Sequence, residues 1–368
     1  MKRIENVYYN FNSLSVPGGG FVTGFIFHPH QRLLCARTDI GGIYGFDYGT
    51  ERWFSLNTSL TEFQHHLTQP ISIAFSPENA DVLFAMCGDC WYNPAADLRR
   101  GRSAFLVSHD GGKSFTERAI PFSVNGNAPA RGSGERLAYR NGRLYYGSQE
   151  DGLWISDNMG DNWIKTTFPE KSCAFVFAHP ENDILIISCT GESLADGNTR
   201  GHTLYVSYDK GVTFEKLTAP TPLNDERCDY NGFVADGIAH YGNKIYISFT
   251  HSHKNSFGKW NSYACDNGGG FDGRVYAYEI NDGRLLFSQD ITPEWKGFAD
   301  ENSRRRLPFG MGGIDVYEDN IVVCSVGGYG DGVFISRDGG KSYDVIKSTD
   351  TDRFVIDVPY QKPEYNGG

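Results

Sequence analysis

One short pattern occurs four times in this chain and constrains its fold more than any other feature. Each copy runs serine, any residue, aspartate, any residue, glycine, any residue, serine or threonine, and then an aromatic residue. The copies lie at residues 108–115, 207–214 and 336–343, with a degraded copy at 156–163. Ser and Asp side chains bond to nearby backbone amides, and Gly adopts positive φ. The pattern therefore predicts a self-capped turn between two strands, and its repetition predicts a propeller or a solenoid.

A second recurring element precedes these turns and completes the repeat. Segments 27–33, 75–83 and 177–185 each place a turn with a proline after an apolar run, and Asn141-Gly142 and Gly242-Asn243 are hairpin dipeptides at the same place. Six units of four strands result, starting near residues 21, 71, 134, 173, 232 and 312. We predict an all-β protein, a single β-propeller over residues 1–368. Segments 6–14 and 353–358 are predicted strands of an incomplete seventh blade.

Charge and composition exclude several classes of partner. The net charge is −11, whereas nucleic-acid binding requires a basic surface. The chain has no apolar run of 18 residues, so no membrane-spanning helix is expected. The N-terminus lacks the apolar stretch of a secretory signal, which leaves open a cytoplasmic protein or a secreted one whose signal has been removed.

No cofactor or metal is predicted. His251 and His253 have no acidic partner at a convincing spacing, and segment 266–273 lacks the ligand periodicity of a calcium loop. Cys87 and Cys90 have the CxxC spacing without a second such pair, which favours a structural role and leaves a disulfide or metal role open. Three other cysteines lie in apolar strand-like runs and are predicted to be buried thiols: Cys35, Cys189 and Cys324.

The alternation of turns along each unit predicts which loops share a face. The turns with proline and the self-capped turns lie at one end of the strands. The loops between the second and third strands of each blade, which we call second-to-third loops, lie at the other end with the connections between blades. The long insertions belong to the second set and carry aromatic residues such as Trp91 and Trp260. Asp39, just before Gly41-Gly42, belongs to the same face, where it could act on a ligand or cap the Gly-Gly bend. Long loops with aromatic and polar side chains are typical of a sugar-binding surface.

Several blocks of the sequence resemble glycoside hydrolase family 74, which contains the xyloglucan-specific endo-β-1,4-glucanases. They are segments 18–29, 35–44, 125–137 and 309–315, of which 38–42 (Thr-Asp-Ile-Gly-Gly) and 132–137 (Gly-Ser-Gly-Glu-Arg-Leu) are specific. The resemblance implies two seven-bladed propellers facing each other across a cleft, and an inverting hydrolysis that uses two aspartates. It implies that Asp39 is the general base and that the general acid lies in a C-terminal propeller beyond residue 368.

The resemblance thus predicts a glycoside hydrolase that acts on a branched β-1,4-glucan such as xyloglucan, together with a second propeller. Inverting enzymes place two carboxyl groups about 6.5–9.5 Å apart, so this chain is expected to hold half of the pair and to be a weak enzyme in isolation. Substrate contacts are predicted for residues of the matching blocks and of the insertions: Arg37, Tyr44, Trp91, Arg131, Glu135, Arg136 and Trp260.

Two other functions remain open at this point. A non-catalytic glycan-binding propeller agrees with the expected absence of the second acid from this chain. A sialidase would require an arginine cluster for a carboxylate, and Arg306-Leu-Pro308 matches that enzyme's motif only faintly and near the wrong end of the chain. The acidic net charge also disfavours an anionic substrate.

Overall fold

The computed structural model is an all-β propeller of six four-stranded antiparallel blades arranged in a ring, as the repeat predicted. It describes residues 2–3, 16, 19–89, 91–93, 98–100, 102–126, 131–189, 192–193, 199–200, 204–220, 233–251, 253–254, 260–261, 271–293, 310–326 and 332–347. The predicted strands at 6–14 and 353–358 lie outside these residues. A short 3-10 helix, Glu62–Thr68, connects the first two blades. Among the described residues, no helical segment has the length and apolar character needed to cross a lipid bilayer.

Each blade contains four strands that pair with one another in chain order, and the first strands of consecutive blades contact one another around the axis. The strands of blades 1 to 3 are Val22–Phe27, Leu34–Thr38, Gly42–Asp47 and Arg52–Ser55; Pro70–Phe75, Leu83–Gly88, Ser103–Ser108 and Thr116–Arg118; Leu137–Arg140, Arg143–Gly147, Leu153–Ser156 and Ile164–Lys165. The strands of blades 4 to 6 are Cys173–Ala178, Leu185–Cys189, Leu204–Ser207 and Glu215–Lys216; Phe233–Tyr241, Lys244–His251, Phe271–Asn281 and Arg284–Asp290; Gly310–Tyr317, Asn320–Val326, Gly332–Ser336 and Asp344–Lys347. A fifth strand, Lys2–Arg3, pairs in parallel with the last strand of blade 6.

The hydrophobic core is divided into apolar layers between neighbouring blades. Between blades 2 and 3, for example, Phe84 and Phe105 of one sheet pack with Tyr146 and Trp163 of the next. Comparable layers join blades 1 and 2, 3 and 4, 4 and 5, and 5 and 6. Strands whose two faces are both covered are largely apolar, and in the fully buried run Pro70–Phe75 the one polar side chain is that of Ser72.

The four self-capped turns adopt the geometry that their sequence predicts. In each copy the serine Oγ accepts the N–H of the glycine four residues later, at 2.8 Å in Ser108–Gly112 and 2.9 Å in Ser156–Gly160. The Asp110 carboxylate accepts both the N–H and the hydroxyl of Ser114, at 2.9 and 2.6 Å. These hydrogen bonds lower the pKa of Asp110 to about 2. Each turn is therefore closed by its own side chains.

The two rims of the ring differ as the alternation of turns predicted. Two of the self-capped turns are bonded to the first turn of their own blade, from Gly111 N to the Asp81 carbonyl and from Gly339 N to the Asp319 carbonyl, at 2.9 Å in both cases. We call this side the cap rim. The opposite side, with the second-to-third loops and the connections between blades, is the mouth rim. Three of its loops form small hairpins: Trp91–Asn93 with Leu98–Arg100, Glu192–Ser193 with Thr199–Arg200, and His253–Lys254 with Trp260–Asn261.

Candidate active site

The turn that carries Asp39 is built so that its carboxylate is not used in closing the turn. The second strand of blade 1 ends at Thr38, whose Oγ1 accepts the Gly41 N–H at 2.8 Å. A Cβ at Gly41 would lie 1.9 Å from the Gly19 carbonyl oxygen, so only glycine allows the turn to approach that segment. The alternative in which Asp39 caps the Gly-Gly bend is therefore wrong, because Thr38 performs this task.

The Asp39 carboxylate is held from two directions at the mouth rim. Its Oδ1 accepts the Phe21 N–H at 2.7 Å, and its Oδ2 lies 3.5 Å from Nη2 of Arg131. Phe21 precedes the first strand of blade 1, whereas Arg131 belongs to the connection between blades 2 and 3. The side chain is 11% exposed, so the carboxylate has a defined orientation and retains some access to solvent.

Arg37 lies beneath this carboxylate's turn and is completely buried. Its Nε donates to Oε1 of Glu135 at 2.7 Å, and its Nη1 donates to Thr23 Oγ1 and to the Arg131 carbonyl at 2.7 and 2.8 Å. Its Nη2 donates to the Gly134 carbonyl at 3.1 Å. Arg37 thus connects the second strand of blade 1 to the segment that carries Arg131.

Glu135 connects the same segment to blade 2. Its Oε2 accepts the Ser72 hydroxyl at 2.5 Å and the Ile73 N–H at 2.8 Å. The Ser72 Oγ in turn accepts the N–H of Leu137, at the start of blade 3, at 2.9 Å. The pair of Arg37 and Glu135 therefore joins three consecutive blades next to Asp39.

Two further predicted site residues, Tyr44 and Arg136, are buried and contact the protein itself. The Tyr44 hydroxyl, in a side chain that is buried, donates to the Gly41 carbonyl at 2.9 Å and so supports the turn of Asp39. Burial raises the pKa of Tyr44 above its ordinary value. Arg136 is buried close to Tyr146, and its charge opposes the rise in the Tyr146 pKa that burial causes. Contact of these residues with a substrate stays a prediction.

The structure thus brings together Asp39, Arg37, Arg131 and Glu135, with Tyr44 behind the turn. The remaining sequence predictions concern groups outside the described residues: the side chains of Trp91, His251, His253 and Trp260, together with Cys90, Arg306 and segment 266–270. Cys35, Cys87 and Cys189 are buried free thiols, and Cys324 is half-buried. Burial raises the pKa of Cys35 to about 12, so these positions do not favour a reactive thiolate.

Sequence reasoning missed Phe21, Thr38 and Ser72. Phe21 stands at the entry to the first strand of blade 1, which antiparallel pairing places at the same rim as Asp39, and this position could have identified it. Ser72 offers no such signal, because its partners Glu135 and Leu137 are more than 60 residues away in the chain.

A separate concave surface lies at the cap rim, with a volume of about 140 Å³. Its charged groups already pair with one another: Arg143 with Asp157 at 2.5 Å, and Arg140 with Asp183 at 3.3 Å. Since the mouth rim holds Asp39 and the long loops, that rim is the better candidate for chemistry.

Comparisons with known proteins agree with the fold and with the sequence blocks. The chain is 27% identical over 377 residues to the oligoxyloglucan-reducing end-specific xyloglucanase of Emericella nidulans, a match that covers 94% of this chain and 43% of that protein. It is 35% identical over 164 residues to a xyloglucanase of a Paenibacillus species, covering 43% of this chain and 16% of that protein. No model of a protein family matches the sequence.

Solved structures extend the same similarity to the whole ring. The GH74 xyloglucanase from Xanthomonas campestris superimposes with a TM-score of 0.69 at 25% identity, covering 92% of this chain and 47% of that one. A GH74 enzyme from Niastella koreensis shares the fold, with a TM-score of 0.70 at 24% identity, and covers 91% of this chain and 46% of that one. These similarities confirm the resemblance to glycoside hydrolase family 74. The chain spans about half the length of the relatives that it matches over most of its own length.

Proposed function

We propose that this chain is the N-terminal propeller of a glycoside hydrolase that cleaves xyloglucan or a similar branched β-1,4-glucan. The observation that carries the proposal is the Asp39 carboxylate, which is fixed at the mouth rim by the Phe21 N–H and by Arg131. The relatives named as xyloglucanases support the reaction class and the substrate. Their greater length supports a second propeller on the C-terminal side of residue 368.

The proposed mechanism is inversion, with Asp39 as the general base. A carboxylate in this role accepts a proton from water as the water attacks the anomeric carbon, while a carboxylic acid on the other side of the bond protonates the leaving oxygen. Arg131 and the Phe21 N–H orient the base, since each faces a different carboxylate oxygen. The acid is assigned to the second propeller, across the cleft.

The experiment compares Asp39→Asn with wild type in the protein expressed from its complete gene. Loss of a general base lowers the rate by about 10²–10⁴-fold, and the isosteric amide should leave xyloglucan binding intact. Asp47→Asn is the matched control, because Asp47 is an exposed aspartate at the cap rim of the same blade. NMR of the first product should show an inverted anomeric configuration. Undiminished hydrolysis by Asp39→Asn would reject the assignment.

A non-catalytic glycan-binding propeller remains the second candidate, and one contact favours it. Within the described part of this cluster the other carboxylate, Glu135, is already bonded to Arg37, Ser72 and Ile73. Of the two carboxylates in this cluster, Asp39 alone is therefore proposed for proton transfer, and the cluster holds no second acid for it. Binding of xyloglucan without sugar release by the complete gene product would support this second function.

A further inference from the structure

Two large apolar side chains stand exposed next to Asp39, one in its turn and one in the segment bonded to it. Phe21 is 70% exposed, although its backbone is bonded to Asp39, and Ile40, the next residue after Asp39, is 53% exposed. Both belong to the mouth rim, because Phe21 leads into the first strand of blade 1 and Ile40 follows the second. What distinguishes these two from other exposed apolar residues of the chain is their position beside the Asp39 carboxylate, where their apolar surface is open to a ligand.

The Phe21 backbone is locked to Asp39 by a reciprocal pair of hydrogen bonds. The Phe21 N–H donates to Oδ1 of Asp39 at 2.7 Å, and the Asp39 N–H donates to the Phe21 carbonyl at 3.1 Å. A Cβ on Gly20 would lie 2.9 Å from that Oδ1 and 3.1 Å from Cγ1 of Ile40. The glycine therefore lets Ile40 and the carboxylate approach the segment that presents Phe21, and the backbone of Phe21 is fixed relative to the carboxylate.

We propose that Phe21 and Ile40 form an apolar platform that packs against the sugar ring whose glycosidic bond faces Asp39. This inference rests on the proposed function and names a specificity-determining contact for it. Pyranose rings combine C–H faces, which pack on aromatic and aliphatic side chains, with hydroxyls that need polar partners. Phe21 and Ile40 supply the apolar surface, and the Asp39 carboxylate and the Arg131 guanidinium, from the connection between blades 2 and 3, supply the polar partners. The site suits a neutral ligand, because the charges of Asp39 and Arg131 already face each other.

The chain offers a matched control at the other end of the same strand. Phe27 is 61% exposed, close to the value for Phe21, but it ends the first strand of blade 1 and leads into the turn of His28 at the cap rim. The Nε2 of His28 lies 3.1 Å from the carbonyl oxygen of Ser76, in the corresponding turn of blade 2. Replacing either phenylalanine removes an equally exposed ring, and only one of the two rings lies beside the proposed base.

The experiment measures xyloglucan hydrolysis and binding of a xyloglucan oligosaccharide by the protein expressed from its complete gene. Phe21→Ala should lower kcat/KM by about fivefold to tenfold and weaken binding by a similar factor, the usual value of one aromatic contact. Phe27→Ala should stay within about twofold of wild type, and Phe21→Tyr should restore most of the loss because it keeps a ring. Thermal unfolding of the variants should match wild type, since the ring of Phe21 is exposed.

The possible outcomes separate this inference from the proposed function. Equal kinetics for Phe21→Ala and Phe27→Ala, with Asp39→Asn still inactive, would overturn the platform and leave the glycosidase assignment standing. An active Asp39→Asn variant with a Phe21→Ala variant impaired in binding would overturn the base and support the platform as a glycan contact. A wild-type protein that neither binds nor cleaves the oligosaccharide would overturn both.

Discussion

Glu135 should contribute far more to stability than a typical acidic residue of this chain, and Glu135→Gln tests this. The carboxylate accepts hydrogen bonds from Arg37 Nε, Ser72 Oγ and Ile73 N, at 2.7, 2.5 and 2.8 Å. A glutamine has the same shape but only one acceptor oxygen, and its amide N–H₂ would face at least one donor. Because Arg37 is fully buried, water cannot replace the lost partner.

The expected cost follows from two routes that agree. Breaking a buried ion pair by removing one charge costs about 3–5 kcal/mol. Counting instead the two charge-assisted hydrogen bonds to Oε2, from Ser72 and Ile73, at about 1.5–3 kcal/mol each, gives about 3–6 kcal/mol when the amide nitrogen takes that place. The Glu135 side chain is 20% exposed, which allows some solvation and favours the lower end, about 3 kcal/mol of unfolding free energy.

Urea unfolding of Glu135→Gln and Glu215→Gln provides the comparison. Glu215 pairs with Arg284, but both side chains are 52% exposed, so that substitution should cost at most about 1 kcal/mol. Salt at 1 M should weaken the contribution of Glu215 and leave that of Glu135 nearly unchanged, since buried pairs are poorly screened. Equal losses of unfolding free energy for the two variants would refute the claim that the buried pair of Arg37 and Glu135 stabilises the junction of three blades.

Two other predictions concern the turns. Burial and the neighbouring His240 lower the pKa of His179 to about 4, and its Nδ1 accepts the N–H groups of Glu181 and Asn182, so the unfolded state binds this proton more readily. The contribution of His179 to stability should therefore be constant above about pH 6.5 and fall between there and about pH 4, by up to about 3 kcal/mol, and urea unfolding of His179→Gln should show a smaller fall. Gly160→Ala should cost at least about 2 kcal/mol more than Gly142→Ala in the same assay. A Cβ at Gly160 would lie 2.2 Å from a ring carbon of Phe105, whereas nothing lies within 4 Å at Gly142, and both glycines have positive φ; equal costs would contradict this.

The fold could be predicted because each blade is made of contacts that are close in sequence. The turn signatures placed unit starts near residues 71 and 173, and the first strands of those blades are Pro70–Phe75 and Cys173–Ala178. The rim of Asp39 also followed from sequence, because antiparallel pairing fixes which loops share an end.

The details of the site depend on contacts between blades, and these could not be predicted from local patterns. Arg37 and Glu135 are 98 residues apart, and their pairing requires the angles at which three sheets pack. The sequence therefore presented both as candidate substrate contacts, whereas the structure shows Arg37 enclosed by protein partners. The role of Thr38 was likewise hidden, because the bend offers two side chains that could close it and only the geometry distinguishes them.

The Arg37 side chain also bears on the mechanics of the ring. In an array whose units touch only their neighbours, small rotations accumulate, so the whole is elastic even when each unit is rigid. Because this guanidinium extends from blade 1 past blade 2 to the segment that enters blade 3, the three cannot splay independently. That arc should behave as one stiff body, so a bulky polymer drawn across it would meet a surface that does not yield.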